Sequence, residues 1–237
     1  MTRCPGRVRI HNPRTSIQHD PVTDESMSAP EAPPCGVFRV LFDHTTGGLS
    51  YLIANPGERQ ALIIDPAIAD IALILALLHE LGLQLTHVVQ THVHDPEFPA
   101  GRALSELTGA TPISPLSPHP ATATLLLGST PIQLLDTPGH LEQGLSLLWH
   151  DRLFCGDLLT PFECHLGPGV KLPGAHWESL HRILQLPAET LVFPAHAHRD
   201  RRIWMLAELQ DEHPASRLSR DEFLQSLHTA SQSAISG

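Results

Sequence analysis

At 237 residues the chain is long enough to bury a full hydrophobic core, as one large domain or two small ones, and its 41% apolar content is ordinary for a globular protein. No apolar run approaches the roughly 18 residues of a membrane-spanning helix, so no membrane partner is expected. Aspartate and glutamate number 25 against 15 lysines and arginines, giving a net charge of -10 and only one lysine, Lys171. That balance argues against a nucleic acid held through its phosphates.

Residues 1–35 read as a disordered N-terminal tail, with residues 20–35 rich in Pro, Ser, Asp and Glu. Residues 1–19 carry Arg3, Arg7, Arg9 and Arg14, as organelle-targeting segments do, but Pro5, Gly6 and Pro13 interrupt any amphipathic helix. A cytoplasmic protein is the expectation and organelle targeting the alternative. Cys4, Cys35, Cys155 and Cys164 show no CxxC spacing, which fits free thiols in a reducing compartment.

An ordered domain is expected over 36–228, followed by a flexible tail over 229–237. Val37–Phe42, Leu49–Ile53 and Ala61–Ile64 are short apolar runs separated by turn signals, and they read as strands. Residues 67–81 are apolar almost all round, which predicts a helix covered on several sides. Thr86–Thr91 predicts a strand and 99–108 a short helix ending at Gly109. Strands are then expected at Leu125–Leu127, Ile132–Leu135, Leu145–Trp149, Arg152–Cys155 and Thr190–Phe193, with a helix over 175–186. Residues 199–210 and 219–228 read as terminal helices, the second opened by Ser219 with Glu222 at the capping-box position. Two sheets with helices outside satisfy this order better than one parallel sheet.

Metal-type residues follow four of these strands. They lie in Thr91-His92-Val93-His94, Thr137-Pro138-Gly139-His140, Cys155-Gly156-Asp157 and Pro194-Ala195-His196. One histidine at a strand end is most often a satisfied surface group, and an HxH pair alone is a weak signal. Three imidazoles and a carboxylate arriving together suit a borderline cation such as Zn²⁺ or Fe²⁺, and two imidazoles with one carboxylate would leave positions open for dioxygen and substrate. Cys155, Cys164, Trp149, Trp177 and Trp204 are assigned to packing rather than chemistry.

These four motifs resemble the metallo-β-lactamase superfamily, most closely its persulfide dioxygenases, with the glyoxalase II hydrolases as near relatives. Phe42, Tyr51-Leu52-Ile53, Ile64-Asp65-Pro66 and Arg217-Leu218-Ser219-Arg220-Asp221-Glu222-Phe223 strengthen the dioxygenase comparison. The resemblance runs from about 37 to 228 and implies an α+β four-layer αββα sandwich, with a metal at one edge between the sheets. In the dioxygenases the matching residues hold one iron, which here are His92, His140 and Asp157. In the zinc hydrolases His94 also binds the first metal. The second metal of those hydrolases would require an Asp and a His where this chain has Pro96 and Glu97, and would use Asp157 as a bridge and His196, so an ordinary second site is not expected. His94 and His196 are then expected to orient proton-bearing groups and Glu97 to accept a proton.

The chain departs from the family pattern after Asp157, where 160–169 offers no matching arginine, and at Leu141 and His198. The leading reading is oxidation of a small persulfide, such as glutathione persulfide, by dioxygen on one Fe(II), yielding sulfite and a thiol. A zinc-dependent thioester or ester hydrolase is the alternative, and a non-catalytic metal-binding protein of the same fold is the third reading. Monomer and homodimer both stay open.

Overall fold

The structure is a computed structural model that describes residues 36–93, 98–117, 122–159, 170–198 and 201–226. Among these, the strands form two mixed sheets. The first runs β1(Val37–Phe42)-β2(Leu49–Asn55)-β3(Gln60–Ile64)-β4(Gln84–Val89)-β5(Thr111–Ile113). The second contains β6(Thr122–Leu127), β7(Thr130–Asp136), β8(Leu145–Trp149), β9(Arg152–Gly156), β10(Leu191–Pro194) and β11(Trp204–Met205), in the order β11-β10-β9-β8-β7-β6. The helices are α1(Ile71–Glu80), α2(Pro99–Thr108), α3(Pro173–Ile183), α4(Leu206–Glu212) and α5(Pro214–Arg217), with α6 over residues 220–226.

Alternation along the strands builds the layers, because successive side chains point to opposite faces. Leu49, Tyr51 and Ile53 of β2 and Leu62 and Ile64 of β3 face Leu134, Leu147, Phe154 and Phe193 of the other sheet, making the central core. The intervening Leu52, Ala54, Ala61 and Ile63 turn outward onto Ile74 and Leu78 of α1 and Leu104 of α2. On the far side Leu153, Cys155 and Val192 meet Leu180 and Ile183 of α3, Leu209 of α4 and Phe223 of α6. This is the αββα sandwich expected from the sequence.

Several elements differ from the sequence reading. α1 is not covered on several sides: only Ile74 and Leu78 are buried, while Leu73 is 48% exposed, as is Ile68 just before the helix at 60%. A single i, i+4 stripe suffices to hold it on the sheet. The stretch read as a helix over 199–210 begins as a strand, since Trp204 and Met205 pair with Val192 and Leu191, and α4 starts only at Leu206. The capping box forms as expected: the Ser219 hydroxyl and N–H both donate to Glu222, at 2.6 and 2.9 Å. The expected tails 1–35 and 229–237 lie outside the described residues. Among those described, no helix is long and apolar enough to cross a membrane.

Two buried histidines tie the fold's stability to pH. Burial pushes His176 and His213 down to about 4, His176 also feeling His140 and His213. The Nδ1 of His213 accepts the Ala215 N–H at 3.1 Å at the start of α5, so that nitrogen carries no proton. An unfolded chain takes up protons on both below about pH 6.5, whereas the folded chain resists until about 4. Stability should therefore fall as pH drops through that window, by about 1.4 kcal/mol per pH unit for each histidine at most. His213→Asn, which keeps a capping acceptor, should flatten the fall in urea midpoint between pH 7 and 5. An unchanged slope would contradict this origin.

Candidate metal centre

Topology brings the strand exits to one edge. β9 and β10 are parallel, and β7 and β9 are each antiparallel to β8, so β7, β9 and β10 run the same way. Their exits carry His140, Asp157 and His196. β4 belongs to the other sheet, but the Leu145 N–H donates to Thr91 O at 2.8 Å and His92 bridges Gly144, which joins the β4 exit to the start of β8. The Leu49 N–H likewise donates to Ala195 O at 2.8 Å, closing the other side of the edge. Backbone hydrogen bonds between the sheets thus hold four segments in one place.

Asp157 is the hub of the cluster. Its Oδ2 lies 3.4 Å from His92 Nε2 and 3.5 Å from His140 Nε2, and its Oδ1 lies 3.7 Å from His196 Nε2. Donors from His92, Asp157 and His196 all lie within 4.8 Å of one another. Metal–ligand bonds of about 2.1 Å at tetrahedral angles separate neighbouring donors by about 3.4 Å. Each histidine-to-Asp157 spacing fits one small cation, while His140 stands outside the group of donors mutually within 4.8 Å. The structure therefore brings His196, read from sequence as a catalytic group, into the donor cluster beside His92, His140 and Asp157. His94 and Glu97, and Pro96 between them, lie outside the described residues, as do Cys164 and the segment 160–169.

Glycine makes the packing around Asp157 feasible. Gly156 has φ 56°, and a Cβ there would stand 2.5 Å from Thr91 Oγ1. The neighbouring Cys155 is buried, and desolvation pushes its thiol up to about 12, which suits packing and not nucleophilic chemistry. Trp149 and Trp204 are buried and Trp177 is half-buried in core clusters, as expected.

Asp65 and Thr91 were not singled out as site residues by the sequence, yet they orient His92. Asp65 directly follows β3 with φ 47°, a conformation costly for a non-glycine residue, and its carboxyl meets Thr91. Its Oδ1 accepts the Thr91 N–H at 2.7 Å, and its Oδ2 lies 2.6 Å from the Thr91 hydroxyl. Burial pushes the Asp65 carboxyl up, opposed by His92 and by the Thr91 hydrogen bonds. With Asp65 ionised, Thr91 Oγ1 donates to it and accepts from His92 Nδ1 at 2.8 Å, leaving the His92 Nε2 lone pair facing Asp157. The available signal was an aspartate directly after a fully apolar strand. Thr91→Val should keep the shape and weaken metal retention by about 10–100-fold in a competitive chelator titration. Undiminished affinity would show that the hydroxyl does not position His92.

Relatives share this arrangement of elements. No family model matches the chain. It is 32% identical over 174 residues to a hydroxyacylglutathione hydrolase of Methylobacillus flagellatus, covering 69% of this chain and 68% of that protein. The crystal structure of ETHE1 from Myxococcus xanthus superposes with a TM-score of 0.71 at 32% identity, covering 81% of this chain and 90% of that one. The chain belongs to the metallo-β-lactamase superfamily. Human mitochondrial persulfide dioxygenase ETHE1 is 28% identical over 204 residues, 79% of each chain. The hydroxyacylglutathione hydrolase of Methylococcus capsulatus is 33% identical over 163 residues, and this superfamily member spans 61% of its length.

Proposed function

We propose that the chain is a metal-dependent enzyme that oxidises a low-molecular-weight persulfide with dioxygen, with one Fe(II) held by His92, His140 and Asp157. The observation that carries this reading is the extent of similarity within the chain. The match to human persulfide dioxygenase runs over 204 residues, whereas those to the Methylococcus and Methylobacillus hydrolases run over 163 and 174. The donor chemistry fits, since two imidazoles and one carboxylate leave an iron(II) open positions.

Iron held by His92, His140 and Asp157 would supply the redox chemistry that couples a persulfide sulfur to dioxygen. The protein's part is to orient and to move protons. Asp65 and Thr91 fix the His92 tautomer through the 2.6 and 2.8 Å hydrogen bonds. His196 is half exposed, with its Nε2 on the Asp157 side, and serves as the proton-bearing group at the site's mouth. His94 and Glu97 stay candidates for the same duty. Persulfide, dioxygen and water together give a thiol, sulfite and two protons.

The second reading, a zinc-dependent thioester hydrolase, is supported by the 32–33% identity to the two hydrolases, above the 28% to the human dioxygenase and level with the 32% to Myxococcus ETHE1. There the cation would supply an activated water. The test is oxygen uptake by anaerobically purified protein given glutathione persulfide and simple alkyl persulfides, alongside hydrolysis of a glutathione thioester. Rapid uptake with sulfite formation is expected. Thioester hydrolysis without uptake would select the hydrolase, and neither activity in metal-loaded protein would leave a non-catalytic metal-binding role.

A further inference from the structure

A cleft of about 570 Å³ opens beside the metal centre, with His92 and His196 among its lining. Its size falls within the range of about 300–1,000 Å³ of small-molecule sites. Three turns bound it: the one between β1 and β2, the one after β3, and the start of α2. The walls are mostly hydrocarbon, including Leu49, Pro66, Ile68, Phe98 and Pro99. Ile68 is kept 60% exposed in that wall. An open apolar surface next to a reactive centre is unfavourable unless something covers it during function.

The charges point the same way. Among the described residues, the lining contains Asp43 and Asp65 but no lysine or arginine. Asp43 accepts from the Thr46 hydroxyl at 2.7 Å and from the Thr45 N–H at 2.8 Å, and these bonds hold its carboxyl below the usual range. It is therefore anionic at neutral pH. Arg202 packs over the Phe42 ring, 4.3 Å from its centroid, and is not part of the lining. A substrate carboxylate entering here would meet the Asp43 carboxylate and no described lysine or arginine, whereas an alkyl chain would find matching walls.

We infer that this cleft takes an uncharged hydrocarbon group borne by the substrate's sulfur, so that alkyl persulfides are preferred to glutathione persulfide. This deepens the persulfide reading and rests on it for the placement of sulfur at the metal. Each methylene moved from water onto apolar walls should tighten binding about fourfold until the cleft is filled.

The experiment is calorimetric titration of the full-length, metal-bearing protein with n-alkanethiols of two to six carbons, with 3-mercaptopropionate, and with glutathione. Affinity should climb about fourfold per methylene, and glutathione should bind more weakly than butanethiol. Ile68→Lys, at an exposed position and checked for folding by its thermal melt, should flatten the alkyl series and shift preference toward 3-mercaptopropionate. A flat series in the unmodified protein, or glutathione binding tighter than butanethiol, would overturn the inference. Thiol binding does not depend on oxygen chemistry. A steep series without oxygen uptake would remove the reaction and keep the cleft; uptake with a flat series would do the reverse.

Discussion

His140→Ala should purify without its metal, whereas His196→Ala should keep it. Both imidazoles face Asp157, His140 at 3.5 Å from Oδ2 and His196 at 3.7 Å from Oδ1, and mutual spacing groups His196 rather than His140 with His92 and Asp157, so proximity does not select His140. The proposed one-metal site does: it uses the carboxylate oxygen shared by His92 and His140, and leaves His196 to the substrate side. Loss of a direct ligand should weaken retention on the order of 100-fold or more, since groups one bond further out already cost about 10–100-fold. His196 is 52% exposed at its side chain, so its removal should lower turnover with little change in metal content. Metal analysis after gel filtration of the two variants reads the difference. Equal loss in both would mean that His196 is a ligand, as its place in the 4.8 Å donor group with His92 and Asp157 permits.

Gly139→Ala should damage both stability and the metal centre. Gly139 has φ 141°, open to glycine and strained for other residues, and a Cβ there would stand 2.2 Å from the His176 Cα. That neighbour is helix backbone and cannot swing aside as a side-chain tip could. The turn is also pinned to the start of α3, because Gly139 O accepts the Leu172 N–H and His140 O the Lys171 N–H, both at 3.1 Å. Relief therefore requires the turn and the helix to part, carrying His140 away from Asp157. Backbone strain and overpacking together should cost about 2–5 kcal/mol, a large share of a typical total of about 5–15 kcal/mol. A urea midpoint unchanged from the unmodified protein, with full metal content, would show that the turn adapts freely.

Much of this was legible because strand-exit motifs are local. His92, His140, Asp157 and His196 each follow a short apolar run, and tight turns at Gly139 and Gly156 announce a backbone aimed at something. α2 and its end at Gly109, and the Ser219–Glu222 cap, were readable for the same reason. What the sequence hid depends on distant partners. β5 contains Pro112 and has only three residues, and it exists because the edge of β4 is there to pair with it. Trp204 and Met205 continue an apolar pattern that reads as helix, and only pairing with Val192 and Leu191 makes them a strand. Asp65 entered the sequence reading only as part of the Ile64-Asp65-Pro66 resemblance. Its role depends on Thr91, 26 residues further on, a contact that no local pattern displays.

The most direct measurement is the metal content of protein purified without oxygen. One iron per chain is the expected result, given His92 and His140 gathered on Asp157 and Pro96-Glu97 standing where the resemblance would need a second set. Two ions per chain, or protein that binds none when iron or zinc is supplied, would contradict it. A single zinc would preserve the site and remove the iron chemistry assigned to it.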